Sequence, residues 1–154
     1  MKKILLCTIL LTLLISFTIS PTILGADKDY YSKYLSVAEV EKASGMKGVV
    51  AKHNYSLHFN NSKGTEILIV RFHKSNTFDT ITKDKSWVPY TGIGDKAKIA
   101  IPNMPYTIAF TKGENMAEVV SMIDPSTMKA YFTVDQLKAI CQIIGKRIAG
   151  KTTL

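Results

Sequence analysis

The chain has 154 residues, a length that suits one domain built around a single hydrophobic core. It carries 20 lysines and arginines against 12 aspartates and glutamates, so its formal net charge at neutral pH is +8. The basic residues are spread along the sequence and form no block of like charge, which is typical of a solvated surface.

The first 26 residues have the three-part plan of a secretory signal peptide. Lys2 and Lys3 precede an uncharged apolar run, 4–19, and small residues follow before Asp27. We predict cleavage after Ala26. The alternative is an uncleaved membrane anchor, because the uncharged stretch 4–26 is about long enough to span a bilayer.

Export restricts the possible partners. The signal peptide holds two of the basic residues and none of the acids, so the remaining chain has a net charge of +6. Outside the cytoplasm nucleic acid is not an expected partner. We expect an unknown envelope ligand or protein, with weak attraction to anionic lipid or wall polymer. Only Cys141 remains after cleavage, so we predict no intramolecular disulfide.

The exported part begins with a polar and aromatic lead-in, 27–34, which we expect to be flexible. A short helix is predicted over Val37–Ser44, because Ser36 and Glu39 form a capping box and Gly45 is placed to end it. Alternating apolar residues then predict a half-buried strand over Asn54–Asn60. A turn at 60–64 leads to a second strand, Glu66–His73, and the two should form a hairpin.

The middle of the chain is less regular. Asn76–Asp79 is expected to form a short helical turn with Phe78 and Ile81 facing inward. Three further strands are predicted as a meander, with turns at 102–105 and 112–115. Their ranges are Lys96–Ile101, Tyr106–Thr111 and Met116–Ile123.

The last element is an amphipathic helix over Thr133–Ala149, which needs a sheet to cover its apolar side. Thr133 and Gln136 form its capping box. Its apolar residues recur at intervals of three and four, and Cys141 lies among them as a small buried side chain. The apolar positions are Val134, Leu137, Ile140, Cys141, Ile143, Ile144 and Ile148.

These elements predict an α+β domain over 35–150, followed by a tail, 151–154. We expect an antiparallel sheet of about five strands with the N- and C-terminal helices packed on one side. No internal repeat or second domain is indicated.

The layout resembles that of small exported bacterial proteins and lipoproteins of unknown function. The matching segments are Leu35–Val40, Gly92–Ala97, Phe110–Gly113 and the helix from Thr133, although this chain lacks a lipobox cysteine. The resemblance implies a fold and an extracytoplasmic location, and it implies no activity, cofactor or catalytic residue.

The three histidines raise the possibility of a metal site. His53 and His73 are expected to share one face of the hairpin, and His58 the other. Two histidines without a placed carboxylate do not make a zinc site, so we assign no metal and no cofactor. No serine lies in a nucleophile elbow and no two carboxylates are paired, so no catalytic residue is assigned.

The segment around Gly92–Asp95 is the strongest candidate for binding. Glycines at 92 and 94 allow a sharp turn, and Asp95 is expected to accept hydrogen bonds from backbone amides there. A phosphate-binding loop would need a third glycine and a following helix. Trp87, Tyr90 and Tyr106 flank the turn and could form an aromatic lip around a ligand. The alternative is that Trp87 closes the edge of the core.

The sequence therefore favours an exported binding or accessory module, similar to a sensor, whose binding residues would be Trp87, Tyr90, Asp95 and Tyr106. A small extracytoplasmic hydrolase and a structural partner in an envelope complex are the alternatives. A hydrolase should show a histidine or carboxylate held by a second polar group.

Overall fold

The computed structural model describes residues 32–53, 55–84, 86–100 and 106–149. The predicted signal peptide, the predicted turn at 102–105 and the tail 151–154 lie outside these residues. Among the helices that are described, none is long and apolar enough to cross a membrane.

The described part of the chain contains three α-helices and nine strands. The helices are α1 (Val37–Ser44), α2 (Phe78–Ile81), which follows a 3-10 turn at Ser75–Thr77, and α3 (Val134–Ile148). The strands are β1 (Val50–His53), β2 (Leu57–Asn60), β3 (Glu66–Lys74), β4 (Trp87–Tyr90), β5 (Lys96–Ala100), β6 (Thr107–Lys112), β7 (Asn115–Ser121), β8 (Ile123–Asp124) and β9 (Lys129–Ala130).

Strands β1 to β7 form one antiparallel sheet in the order β1-β2-β3-β7-β6-β5-β4, and β8 pairs with β9 separately. The α+β class with an antiparallel sheet is confirmed, and so is the β2–β3 hairpin. The sheet has seven strands, so the prediction of about five was too low. The two missed strands are its edges. β1 shows no apolar alternation, and β4 contains Pro89, which a strand tolerates only at an edge.

The strand predicted over Asn54–Asn60 begins later, at Leu57. The chain reverses direction after His53, so that His53 lies opposite Leu57 in an antiparallel pair. The last meander strand also ends earlier than predicted, at Ser121, and Ile123 pairs with Ala130 in the small ribbon instead. In the first case, no glycine or proline marks the reversal between β1 and β2. In the second case, a single residue separates β7 from β8.

Helices α1 and α3 cover one side of the sheet, which we call the helix face. Leu137, Ile140 and Cys141 are fully buried there together with Phe110 and Val119 of the sheet. The predicted apolar stripe of α3 is confirmed, with Val134 and Ile143 packed partly buried at its margins. Burial raises the pKa of the Cys141 thiol, because the thiolate would lose its hydration.

An ion pair joins the two helices at their ends. Both predicted capping boxes are present, and Gly45 ends α1 with a left-handed φ of 75°. The Glu39 carboxylate of the first box also binds Arg147 in the last turn of α3, with Nη2–Oε1 and Nη1–Oε2 distances of 2.5 and 2.9 Å. The Arg147 guanidinium is the main reason that the pKa of Glu39 falls to about 2.

The lead-in contributes to the core at its end. Tyr34 is 2% exposed and its ring centroid lies 4.9 Å from that of Phe72. Arg147 Nη1 donates a hydrogen bond to the Tyr34 carbonyl at 3.2 Å. The predicted lead-in therefore ends inside the folded domain, because Tyr34 fills space between the sheet and the end of α3.

The opposite side of the sheet, which we call the outer face, has a smaller apolar cluster. Phe78 of α2 packs there with Ala109 and Met116, and Ile81 and Trp87 lie at the margin of the cluster. The expectation that Phe78 and Ile81 face inward is confirmed, on the side of the sheet away from α1 and α3.

Candidate functional site

A cleft of about 390 Å³ separates the glycine turn after β4 from the C-terminal half of α3. This volume is within the range of small-molecule sites in proteins. We call it the glycine cleft. It is lined by Gly92, Ile93, Gly94, Lys112, Gln142, Gly145, Lys146 and Ala149.

The turn side of the cleft is fixed by backbone geometry. Gly94 has a φ of 57°, and a Cβ at this position would lie 2.1 Å from the carbonyl oxygen of Thr111. The next amide, that of Asp95, donates to the same carbonyl at 2.8 Å. Only glycine allows the turn to lie this close to β6, so the turn is held rigidly against the sheet.

Asp95 joins this turn to the neighbouring β6–β7 turn. Its carboxylate accepts hydrogen bonds from Lys112 Nζ at 2.7 Å and from the Gly113 amide at 2.8 Å. The bond with Lys112 is the main cause that lowers the pKa of Asp95. The backbone amide that donates to the Asp95 carboxylate is that of Gly113, in the adjacent turn. The predicted bonds to amides of its own turn were wrong, because the sheet places Gly113 directly beside it.

The helix side of the cleft is formed by the polar surface of α3. Gln142 Nε2 donates to the Gly92 carbonyl at 3.1 Å, and Lys138 Nζ lies 5.5 Å from the centre of the Tyr90 ring. Gly145 is buried in the helix, where a Cβ would lie 3.4 Å from the Phe110 ring. A glycine inside a helix costs about 1 kcal/mol relative to alanine. In this helix it leaves the wall of the cleft without a side chain.

Two lysines line the cleft itself, and Lys138 lies next to it over the Tyr90 ring. Lys112 is paired with Asp95, whereas Lys146 has no acidic partner among the described residues. Lys146 lies in the last turn of α3, where a positive charge also complements the helix dipole. The cleft therefore presents an ammonium group without an ion-pair partner among the described residues, beside the exposed glycines of the turn, and such a group can attract an anion.

The four residues predicted to bind a ligand do not lie together in the structure. None of the four lines the glycine cleft, although Asp95 binds Lys112, which does. Trp87 lies opposite Ala100 and packs on the outer face, whereas Tyr90 lies opposite Ala97 and faces the helices. The two aromatic rings are three residues apart on one strand, so they point to opposite sides of the sheet.

Tyr106 borders a different hollow, of about 330 Å³, next to the start of α3. The assignment of all four residues to ligand binding stays a prediction, and only Asp95 contacts a residue that lines the cleft.

The histidines agree with the expectation in one respect, because His58 faces the other side of the sheet from His53, and differ from it in the place of His73. His53 lies opposite Leu57 and therefore shares the helix face, while His58 lies opposite Ile69 and His73 opposite Met116 on the outer face. The predicted pairing of His53 with His73 was wrong, because the reversal before β2 places His53 on a separate strand. Among the described residues, no group of three or more histidine, cysteine or acidic side chains could hold a metal ion.

A chain of three polar side chains on the outer face was not predicted from the sequence. Ser56 Oγ lies 2.7 Å from His58 Nε2, and His58 Nδ1 lies 2.5 Å from Glu66 Oε1. The spacing of Ser56 and His58 on alternate positions was visible in the sequence. The approach of Glu66 was not, because it depends on an irregular register between β2 and β3.

A second polar group follows on the same face. Arg71 Nη1 donates to Glu118 Oε2 at 3.0 Å, and His73 Nε2 lies 4.0 Å from the same oxygen. These residues cross the sheet from β3 to β7. The outer face thus carries polar and charged side chains where the helix face is apolar.

No protein-family model, curated protein or solved structure matches this chain significantly. The resemblance to small exported bacterial proteins therefore stays a prediction.

Proposed function

We propose that this protein is an exported binding module of the cell envelope, acting as an accessory or sensor, and that it takes a small anionic ligand in the glycine cleft. The observation that carries the proposal is the cleft itself. A rigid glycine turn faces Lys146, which has no acidic partner among the described residues.

The location rests on the sequence of 1–26, and the type of ligand rests on charge. The exported chain would have a net charge of +6, which attracts anions toward the protein before they bind. A lysine ammonium binds phosphate or carboxylate oxygens in many proteins. Lipid headgroups and wall polymers both offer such oxygens.

The test is an NMR titration of the full chain with sn-glycerol 3-phosphate, whose phosphate is common to both sources. We expect concentration-dependent shifts of the amide signals of Gly92, Ile93 and Gly94. Lys146→Glu should weaken this binding about tenfold or more, because it reverses the charge of the lining lysine that is not paired with an acid.

Lys83→Glu is the matched control, since it makes the same charge change at an exposed residue just after α2, on the outer face. Equal weakening by both variants would show nonspecific attraction to positive charge and would contradict the proposal. Phosphatidylglycerol vesicles and a soluble glycerol-phosphate polymer, compared at equal phosphate concentration, would then distinguish a lipid from a wall ligand.

A further inference from the structure

We propose that Ser56 is a nucleophile, activated by His58 and Glu66, that hydrolyses small carboxylic esters on the outer face of the sheet. This activity would be separate from binding in the glycine cleft. The carrying observation is the linear chain from Ser56 Oγ to His58 Nε2 at 2.7 Å and from His58 Nδ1 to Glu66 Oε1 at 2.5 Å.

The sequence builds this chain from two strands. Ser56 directly precedes β2 and His58 is the second residue of that strand, so the Ser56 hydroxyl reaches the His58 ring from the reversal between β1 and β2. Phe59 of β2 pairs with Leu68 of β3, whereas the next residue of β2, Asn60, pairs with Glu66. One extra residue, Ile67, is thus accommodated as a β-bulge, and bulges redirect the side chains beside them.

The bulge explains how an acidic side chain reaches the histidine. Ile67 and Leu68 are adjacent in sequence, yet both are fully buried in the main core. A regular strand would have sent one of them to the outer face. Because the bulge takes up this residue, Glu66 lies on the side of His58 and meets its ring.

The hydrogen bonds define what each group does. An ionised carboxylate can only accept, so Nδ1 of His58 must donate its hydrogen to Glu66. In the neutral ring, Nε2 is then the acceptor, and the Ser56 hydroxyl is the group that donates to it. This is the arrangement in which a histidine can remove the proton from a serine that attacks a carbonyl carbon.

A positive charge is available for the oxyanion. Lys52 on the edge strand β1 lies directly opposite His58 in the register. Side chains of opposed residues in an antiparallel pair approach to about 5 Å at Cβ, within reach of a lysine ammonium. Lys52 is exposed, so its side chain can swing to an oxygen that develops charge beside Ser56.

The exposure of the site indicates the kind of substrate. The side chains of His58 and Glu66 are 27% and 33% exposed, so the hydrogen-bonded groups are half-buried and can be reached from solvent. An open site does not enclose a large ligand. It suits a short acyl ester, either free or projecting from a larger surface such as a polymer.

The reaction balances with water as the only co-reactant. Ser56 Oγ bonds to the ester carbonyl carbon while its proton moves to His58 Nε2. The bond from carbon to the alkoxy oxygen then breaks, the alcohol leaves with that proton, and the acyl group remains on Ser56. Water repeats the sequence, which releases the carboxylic acid and restores the serine.

The test treats the full chain with a fluorophosphonate probe, which forms a phosphorus–oxygen bond to an activated serine as fluoride leaves. Intact mass and peptide mapping should show one adduct, on Ser56. Ser126→Ala is the matched control, because Ser126 is bound to Asp124 at 2.6 Å and no histidine joins that pair. The Ser126→Ala variant should be labelled as fully as the wild type, and Ser56→Ala should not be labelled.

Hydrolysis of para-nitrophenyl acetate by the same variants supplies the second readout. Ser56→Ala and His58→Gln should each lower the rate above buffer by about a hundredfold. Glu66 is a positioning residue, so Glu66→Gln should lower kcat and leave KM unchanged, and Glu66→Asp should restore part of kcat.

Thermal unfolding of each variant separates chemistry from folding. Absence of an adduct on Ser56 in the folded wild type would overturn the proposal. An unchanged rate of ester hydrolysis in Ser56→Ala would also overturn the proposal, because the ester would then be attacked directly by a histidine.

Discussion

The two faces of the seven-stranded sheet differ in composition and in what they contribute. On the helix face, Phe110 and Val119 meet Leu137 and Cys141 of α3 in a continuous apolar core. On the outer face, the corresponding positions of β3 and β7 carry Arg71, His73 and Glu118. Alternation along each strand places these two sets on opposite sides, so the same strands serve both.

The buried core that stabilises the fold lies on the helix face, and the proposed nucleophile lies on the outer face. The helix face contains the large fully buried side chains, and the ion pair between Glu39 and Arg147 closes it at one corner. The outer face contains the hydrogen-bonded chain of Ser56, His58 and Glu66, which the core does not need. The glycine cleft lies at the margin of the helix layer, where the polar side of α3 meets a turn. We therefore expect substitutions on the helix face to change the free energy of unfolding more than those elsewhere.

The largest effect is expected from Phe110→Ala. Phe110 is fully buried between the sheet and α3, beside Gly94 and Gly145. Removing its ring leaves a cavity and should lower the free energy of unfolding by about 3–5 kcal/mol. Urea denaturation followed by circular dichroism measures this change. A loss below about 1 kcal/mol would mean that the helix face is not the main core.

Cys141→Ser should have a smaller effect of the same kind. The thiol is fully buried, and a hydroxyl there would lack its hydration, so we expect a loss of about 1–3 kcal/mol. Binding of sn-glycerol 3-phosphate and labelling of Ser56 should be unchanged, and the same NMR and mass measurements check both. Full stability combined with lost binding or labelling would contradict the division between the faces.

Glu39→Gln tests the corner of the helix face and its dependence on pH. The substitution keeps a residue that can complete the capping box and removes only the charge. Because the pKa of Glu39 is lowered from 4.5 to about 2, the ion pair stabilises the fold above about pH 4.5, and this contribution disappears as the pH falls toward 2.

We expect Glu39→Gln to cost about 1–2 kcal/mol at pH 7, a value discounted because Arg147 is 39% exposed. The difference between wild type and variant should shrink between pH 4.5 and pH 2 in chemical denaturation. A difference that stays constant over this range would show that the charge of Glu39 is not what stabilises the corner.

The smallest effect is expected from Arg71→Gln on the outer face. The side chain of Arg71 is 45% exposed, and its ion pair with Glu118 is open to solvent. Pairs of this kind contribute about 0–1 kcal/mol, so the midpoint of urea denaturation should barely change. A loss as large as that of Cys141→Ser would show that the outer face also holds the fold together.

Local signals in the sequence were enough for the helices and the central strands. The capping box at Ser36 and the three-and-four spacing around Cys141 depend on neighbours within one or two helical turns. The edge strands were missed because β1 and β4 gain their structure from one neighbouring strand and show little apolar alternation.

The candidate sites were less predictable because both depend on contacts between distant segments. Asp95 and the glycine turn were identified, but the cleft exists only because Gly145 of α3 lies across from them. Ser56 and His58 are visible in the sequence as a pair two residues apart. Glu66 joins them through the bulge at Ile67, and a register irregularity cannot be read from residue periodicity.

Native mass spectrometry of the protein purified from its own host tests most directly whether the glycine cleft holds a ligand. We predict a retained small anion on the wild type and on Lys83→Glu, and its loss from Lys146→Glu. A bare wild-type protein, or the same bound mass on all three proteins, would contradict ligand binding in the cleft.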